Sequence, residues 1–277
     1  LITNDDGIRS MGLRAVAIAC ADLGDLLIVA PAVQQTAQGR AKPIHNSGRI
    51  LTQEIDLGNG KPPITGYAVE GTPAQAVEHA LFEIVDSRQR KVDLAISGIN
   101  YGENIGEGLT VSGTIGAAME AASFGIPALA VSQQTHPDHY MSHDIELDFL
   151  ATAAIVRKFA EWVLEDGLPP GVDLLKIDAP EGVSTETPWR WTRASRKRYF
   201  YPVAPQRQSL DERARMGFEV RVDPAQVEPD SDIRAVAIDK IISVTPLSND
   251  LTARVEIGAS TSWGTGLGVG WGRKAGN

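Results

Sequence analysis

The strongest constraint on this chain is a recurring unit, in which a short apolar run stops at a Gly-, Pro- or amide-rich loop and a helical pattern follows. DLLIVAP, VDLAISG, PALAVS and VDLLKID each have the length of one buried strand and are apolar almost throughout, as strands covered on both faces are. The segments between them have helical spacing. MGLRAVAIACADLG repeats apolar side chains at Leu13, Val16 and Ala17, and GTPAQAVEHALFEIV opens with Thr72 as N-cap and Pro73 at the first helical position. TIGAAMEAASFG is a helix of small residues. SHDIELDFLATAAIVRKFAEWVLEDG carries an apolar stripe through Ile145, Phe149, Ile155, Phe159 and Val163 and closes at Gly167. Strands alternating with helices predict an α/β class, a mainly parallel sheet with helices on both faces.

Two stretches interrupt the alternation. PAVQQTAQGRAKP is a polar loop too irregular for a core element, and ILTQEIDLGNGKPPITGYAVEG reads as two extended segments around a Gly/Pro turn. Past about residue 185 the character changes. WRWTRASRKRYFYPV and GFEVRVD are aromatic, basic and β-prone, suited to hairpins rather than crossovers. The expected organisation is a core over 1–184, a β-rich extension for subunit contact over 185–260 that returns to the core near 241–253, and a mobile Gly-rich tail over 261–277. In that tail Gly266, Gly268 and Gly270 are spaced by two, with no strand-to-helix context, which excludes a dinucleotide-binding loop.

Composition narrows the function. A net charge of −9 and the lack of a long basic block argue against long nucleic acid as a partner, and RASRKRYF alone reads as a solvated strand face. Cys20 is the only cysteine, so an intrachain disulfide and a thiolate metal cluster are both excluded, and a reducing compartment is expected. No apolar stretch is long enough to span a bilayer, and the start lacks the basic-then-apolar pattern of a signal peptide. Because Leu1 is not an initiator Met, a few residues are expected to precede it, and LIT is read as the tail of a first strand.

Three loops leave predicted parallel strands at their carboxyl ends: NDDG, QQTAQG and GINYGENIGEG. In an open α/β sheet such loops converge on one rim. Asn4-Asp5-Asp6-Gly7 is a turn by composition. It also sets two carboxylates side by side, and together with the Thr36 hydroxyl and the amides of Asn100 and Asn104 they form an oxygen-rich donor set suited to Mg²⁺ or Mn²⁺ rather than Zn²⁺. Ser112-Gly113-Thr114 opens a helix straight after the Gly-rich loop. It reads both as a cap and as a seat for an anion at the positive helix end. There is no Walker phosphate loop and no nucleophile elbow. His136, His139 and His143 lie close together in HPDHYMSH but lack a fourth strong ligand, and are read as a solvated loop.

TNDDGI, the P-x-x-x-x-T loop, VEGTPAQAV, SGIN-x-G-x-N-x-G, SGT-x-x-AAME, PALAVS and the late SVTPLSNDLTA occur in one order, and in that order the chain resembles the survival protein SurE family of metal-dependent nucleotidases. The resemblance implies a Rossmann-like three-layer α/β/α core with a C-terminal β-hairpin extension exchanged between subunits of a homodimer or homotetramer. It implies a cytoplasmic phosphatase that acts on nucleoside 5′- or 3′-monophosphates with one divalent metal ion per subunit. By position, Asp5, Asp6, Thr36 and Asn100 match the metal ligands, with Thr36 where Ser is usual; Asn104, Ser112, Gly113 and Thr114 match the phosphate contacts. Asp5 and Asp6 are the expected catalytic pair, with water or an aspartate as nucleophile. The chain departs from the family pattern at Met11 (commonly Pro), Ala32 (frequently Asp), Gly108 (commonly acidic) and Val111 (usually aromatic), and it lacks the Gly usual before SVTPL. These departures keep two other readings in view: a broader phosphomonoesterase or exopolyphosphatase, and a nucleotide-binding regulator with little turnover.

Overall fold

The computed structural model describes residues 1–58, 60, 62–85, 90–140 and 147–252. Its elements run β1 (Ile2–Thr3), α1 (Met11–Ala19), β2 (Ile28–Pro31), β3 (Ile50–Ile55), β4 (Ile64–Val69), α2 (Pro73–His79), β5 (Ala95–Tyr101), α3 (Gly113–Ser123), β6 (Ala128–Gln133), α4 (Leu150–Asp166), β7 (Leu174–Ala179), β8 (Trp189–Trp191), β9 (Phe200–Val203), β10 (Gly217–Val220) and β11 (Ile242–Leu247). Among the described residues one sheet has the order β3-β4-β2-β1-β5-β6-β7-β11-β8, and β9 with β10 forms a separate antiparallel pair. The six strands from β4 to β7 in that order are parallel to their neighbours. β3 runs antiparallel to β4 and β11 antiparallel to β7. The chain therefore folds as expected, as a Rossmann-like α/β/α layer structure with a small hairpin sheet.

β1 is the point where strand order reverses, with β2 on one side and β5 on the other. The two faces of the sheet are covered differently. Leu13, Val16 and Ala17 of α1 and Val156, Phe159 and Val163 of α4 pack on one face, over Ile28, Leu129 and Ile177. On the other, Val77 of α2 and Ile115, Ala118 and Ala121 of α3 pack over Ala95, Ala128 and Leu174. Small side chains in α3 let that helix lie close to the strands. α2 begins as its sequence demands: the Thr72 hydroxyl accepts from the Gln75 N–H at 3.3 Å, and the Gln75 side chain accepts from the Thr72 N–H at 3.1 Å. A reciprocal cap of this kind is worth about 1 kcal/mol.

Several expectations are corrected. Only Pro73–His79 of the second helical segment is α-helical, and Ala80–Val85 continues in a wider π-type turn. The long fourth helix starts at Leu150, because the Asp148 carboxylate accepts from the Leu150 N–H at 2.8 Å in a local turn; 141–146, with Ile145 and His143, lie outside the described residues. The aromatic segment after residue 185 is hairpin material only in part. Phe200–Val203 pairs with Gly217–Val220, but Trp189–Trp191 joins the main sheet, parallel to β11, as its edge strand. The Gly-rich stretch 261–277 lies outside the described residues.

Candidate active site

Asp5 and Asp6 follow β1 directly and are almost fully buried, 4% and 3% exposed. The turn that carries them is closed by Asn4, whose side chain donates to the Gly7 carbonyl at 3.2 Å and accepts from the Gly7 N–H at 3.1 Å. Gly7 has φ +95°, a conformation open to glycine and strained for a residue with a side chain. The Asp5 carbonyl accepts from the Gln35 N–H at 2.7 Å, which ties the turn to the loop after β2. Asp6 accepts from the Gln34 side chain at 3.0 Å and from the Tyr101 N–H at 3.3 Å. The Asp5 main chain and the Asp6 carboxylate are therefore held from the loop after β2 and the end of β5, at the switch point where ligands of open α/β sheets bind.

The start of α3 is aimed at Asp5. A Cβ added at Gly113 would lie 2.7 Å from the Asp5 Cβ and 2.8 Å from its Oδ2, so this helix end reaches the carboxylate only because residue 113 has no side chain. The Thr114 hydroxyl donates to Asp5 Oδ1. The Ser112 hydroxyl accepts from the Ile115 N–H at 3.2 Å as the N-cap. The anion facing this helix end in the structure is thus Asp5 itself, and the Thr114 hydroxyl, matched above to a phosphate contact, has the carboxylate as its partner.

No Lys, Arg or His among the described residues forms an ion pair with Asp5 or Asp6, although both are buried. Burial pushes the Asp5 carboxyl up to about 6, against the Thr114 hydroxyl and the main-chain N–H groups that favour its ionised form. Asp6 is raised well above the usual carboxylate range, first by burial and then by the charge of Asp5 beside it. Two buried acids without a cation are the environment a divalent ion relieves, and oxygen donors are what Mg²⁺ and Mn²⁺ prefer. The donor set fits such an ion. It falls short of a carboxylate cage, since the described residues contain no group of three or more His, Cys, Asp and Glu arranged for a metal. The shortfall would have to be met by neutral oxygens and water.

The other residues matched from sequence stand around this pair at varying remove. Asn100 is half-buried at the end of β5, on the strand rather than in the loop, beside the Tyr101 N–H that binds Asp6; its side chain donates to the Gly102 carbonyl at 2.7 Å. Thr36 is exposed, one residue beyond the Gln35 N–H that holds Asp5. Asn104 is turned toward β6 and β7, with its amide on the Ser132 hydroxyl and its main-chain N–H on Asp178, each at 2.8 Å. Met11 donates its N–H to the Tyr101 hydroxyl at 2.9 Å, a bond that the Pro common in the family could not make. Val111 is exposed and nothing in the structure explains its identity. A cavity of about 600 Å³ opens beside Asp6 and is lined by Arg9, Val33, Gln34, Leu51 and Gln53 among others.

Sequence reasoning missed two polar groups. Lys176, Asp178 and Asp232 are each fully buried, and the Lys176 ammonium pairs with Asp178 Oδ2 and, at 3.1 Å, with Asp232 Oδ2. Burial alone acts to lower the Lys176 pKa, but the two carboxylates outweigh it and the ammonium is held raised. Asp178 is pushed up to about 6 by burial, with Lys176 opposing. The available signal was a Lys and an Asp two residues apart, on one face of the otherwise apolar VDLLKID. The second group centres on buried Glu103, which accepts from the Tyr199 hydroxyl at 2.6 Å and the Tyr140 hydroxyl at 3.2 Å. Tyr140 in turn stacks on Phe218 of the hairpin and offers its carbonyl to Gln34. These contacts join segments 37 to 106 residues apart, which no local pattern displays.

Comparison with known proteins agrees with this architecture. The family model described as survival protein SurE matches residues 1–201. A protein from Methanocella arvoryzae named 5′-nucleotidase SurE is 41% identical over 257 residues, covering 91% of this chain and 92% of its own length. One of the same name from Thermococcus gammatolerans is 38% identical over 257 residues, with 92% of each chain covered. A crystal structure of the SurE protein from Aquifex aeolicus superposes with a TM-score of 0.70 at 27% identity, covering 91% of this chain and 94% of that one.

Proposed function

The chain belongs to the survival protein SurE family, and on that premise we propose that it is a divalent-metal-dependent phosphatase that hydrolyses nucleoside 5′- and 3′-monophosphates. The observation that carries this reading is the buried pair Asp5–Asp6 at the switch point, with no Lys, Arg or His of the described residues paired to it and the start of α3 turned toward it. Asp5 and Asp6 would hold Mg²⁺ or Mn²⁺, with Thr36 and Asn100 as neutral oxygen donors. A bound divalent ion supplies Lewis acidity toward a phosphoryl oxygen and offsets the charge of the transition state.

The chain's own residues do the rest. Thr114 and the main chain at Gly113 fix the rotamer of Asp5 and favour its ionised form, and Gln34 and the Tyr101 N–H fix Asp6. The Ser112 hydroxyl proton would serve phosphate oxygens, and Asn104, whose amide donates to Ser132, would offer its second amide proton. One carboxylate of the pair is assigned as the general base that takes a proton from the attacking group. The nucleoside half is assigned to the cavity beside Asp6, where Val33 and Leu51 offer apolar surface and Arg9 and Gln53 polar edges.

The same reading includes assembly as a homodimer or homotetramer in the cytoplasm. Half-exposed Trp189, Trp191 and Phe218 on β8 and β10 support a subunit contact, which light scattering would test. No helix among the described residues is long and apolar enough to cross a membrane.

The test is phosphate release from nucleoside 5′- and 3′-monophosphates, short polyphosphate and p-nitrophenyl phosphate with Mg²⁺, Mn²⁺ or chelator. Release confined to nucleotides and dependent on metal is expected. Preference for polyphosphate would reassign the substrate, and tight nucleotide binding with no release under any condition would make the protein a binder.

A further inference from the structure

We propose that Lys176, Asp178 and Asp232 are positioning residues that set the main chain of the loop carrying Asn104, each carboxylate holding one N–H of the loop while the shared ammonium holds the two carboxylates. Asp178 Oδ1 accepts from the Asn104 N–H at 2.8 Å and Asp232 Oδ2 from the Gly106 N–H at 3.1 Å. The loop is thus gripped at alternate residues by two acids from segments far apart in the chain. Asp178 and Lys176 lie on one face of β7, and Asp232 precedes the turn that leads into β11. Asp232 also accepts from the N–H groups of Ser195 at 2.9 Å and Ile233 at 2.8 Å, so its orientation is fixed independently of the loop. All three side chains are fully buried, where such contacts are not exchanged for water.

A carboxylate has two oxygens, and Asp178 uses one for the loop and the other for Lys176. An amide has one acceptor oxygen and cannot fill both sides: at Asp178 it keeps either the loop or Lys176, and at Asp232, whose Oδ2 serves both Gly106 and Lys176, it keeps either that side or the Ser195 and Ile233 N–H groups on Oδ1. The arrangement therefore does more than satisfy a buried lysine: one carboxylate would already balance its charge, and the second acid lets two loop amides be held from the same point. The backbone grip sets where the Asn104 side chain begins, and its contact with Ser132 sets where it ends. The kinetic part of this inference rests on the nucleotidase reading; its backbone part does not.

The test compares Asp178→Asn with Asp232→Asn, each of which leaves Lys176 with one carboxylate partner. Both variants are expected to melt within about 3 °C of the wild type. Amide hydrogen exchange should show protection lost by about tenfold at Asn104 in D178N and at Gly106 in D232N, each variant affecting its own amide most. In D178N the KM should rise about tenfold for a nucleoside 5′-monophosphate and for a 3′-monophosphate alike, with kcat changed by less than about twofold, since the loop would meet the phosphate that both substrates share. Unchanged protection at both amides, or equal loss across the loop in both variants, would overturn the proposal, as would an unchanged KM in an active enzyme. If the wild type releases no phosphate from any substrate, the nucleotidase reading fails and the exchange pattern alone decides this one. Should either variant fail to fold, the other's single amide decides it in the same way.

Discussion

Two groups of buried charge sit in one sheet and are built in opposite ways. At the end of β1, Asp5 and Asp6 lie side by side with hydroxyl, amide and main-chain donors but, among the described residues, no ammonium or guanidinium paired to them. Asp178 on β7 and Asp232 before β11 are buried still more completely, yet Lys176 lies between them. Burying a charge costs several kcal/mol unless it is paired. The Lys176 group carries its own cation, which balances one of its two acids, and belongs to the fold. The β1 pair leaves its compensation to be brought from outside, which suits a site that must bind a cation with room to act. The contrast teaches that burial alone does not mark a reactive group; what marks it is charge the fold leaves unbalanced.

Four substitutions test that contrast, beginning with the largest effect. Asp5→Asn should lower phosphate release about a thousandfold or more while the circular dichroism spectrum stays that of the wild type. Lys176→Met should lower stability in urea unfolding by about 3–5 kcal/mol, the cost of stranding buried carboxylates. Gly113→Ala should cost about 1–3 kcal/mol in the same assay despite the better helix propensity of Ala, because the added Cβ meets the Asp5 side chain at 2.7 Å. Asp6→Asn should do the reverse in chelator and raise stability by about 1 kcal/mol, since it removes like-charge repulsion; the rise in melting temperature that Mn²⁺ gives the wild type should then be lost. If Mn²⁺ does not raise the melting temperature of the wild type, the β1 pair is no metal site and the contrast drawn here collapses.

What could be read in advance was whatever sequence neighbours enforce. Thr72-Pro73 with Gln75 three residues on specifies a helix start within four positions, and the structure forms that cap. The turn around Asp5 and Asp6 is equally local, closed by Asn4 and Gly7. The apolar runs fixed which segments are strands, though not where the last ones join. Trp189–Trp191 looked like hairpin material because its aromatic, β-prone residues say nothing of a partner, and its partner β11 follows only after the β9–β10 hairpin. Lys176 was hidden in VDLLKID because charges near the ends of a short strand read as solvated, and its partner Asp232 comes from a segment with no strand or helix pattern of its own. The direction of α3 was legible, but its preference for Asp5 was not, since that depends on a few tenths of an ångström at Gly113.

β11 closes the sheet last. β1 to β7 can pair as they leave the ribosome, but the outer edge of β7 finds its partner only after the stretch from 180 to 241 has been made. Until then Leu174–Ala179 is an unpaired, largely apolar strand on a nascent chain, the kind of edge that recruits strands from other chains. Lys176 has only one acid beside it during that interval, and Asp232 arrives with the segment that finally covers the edge. Chains that stall before residue 242 should therefore go to aggregates or chaperones, so that yield in a cell depends on how quickly the last quarter of the message is translated.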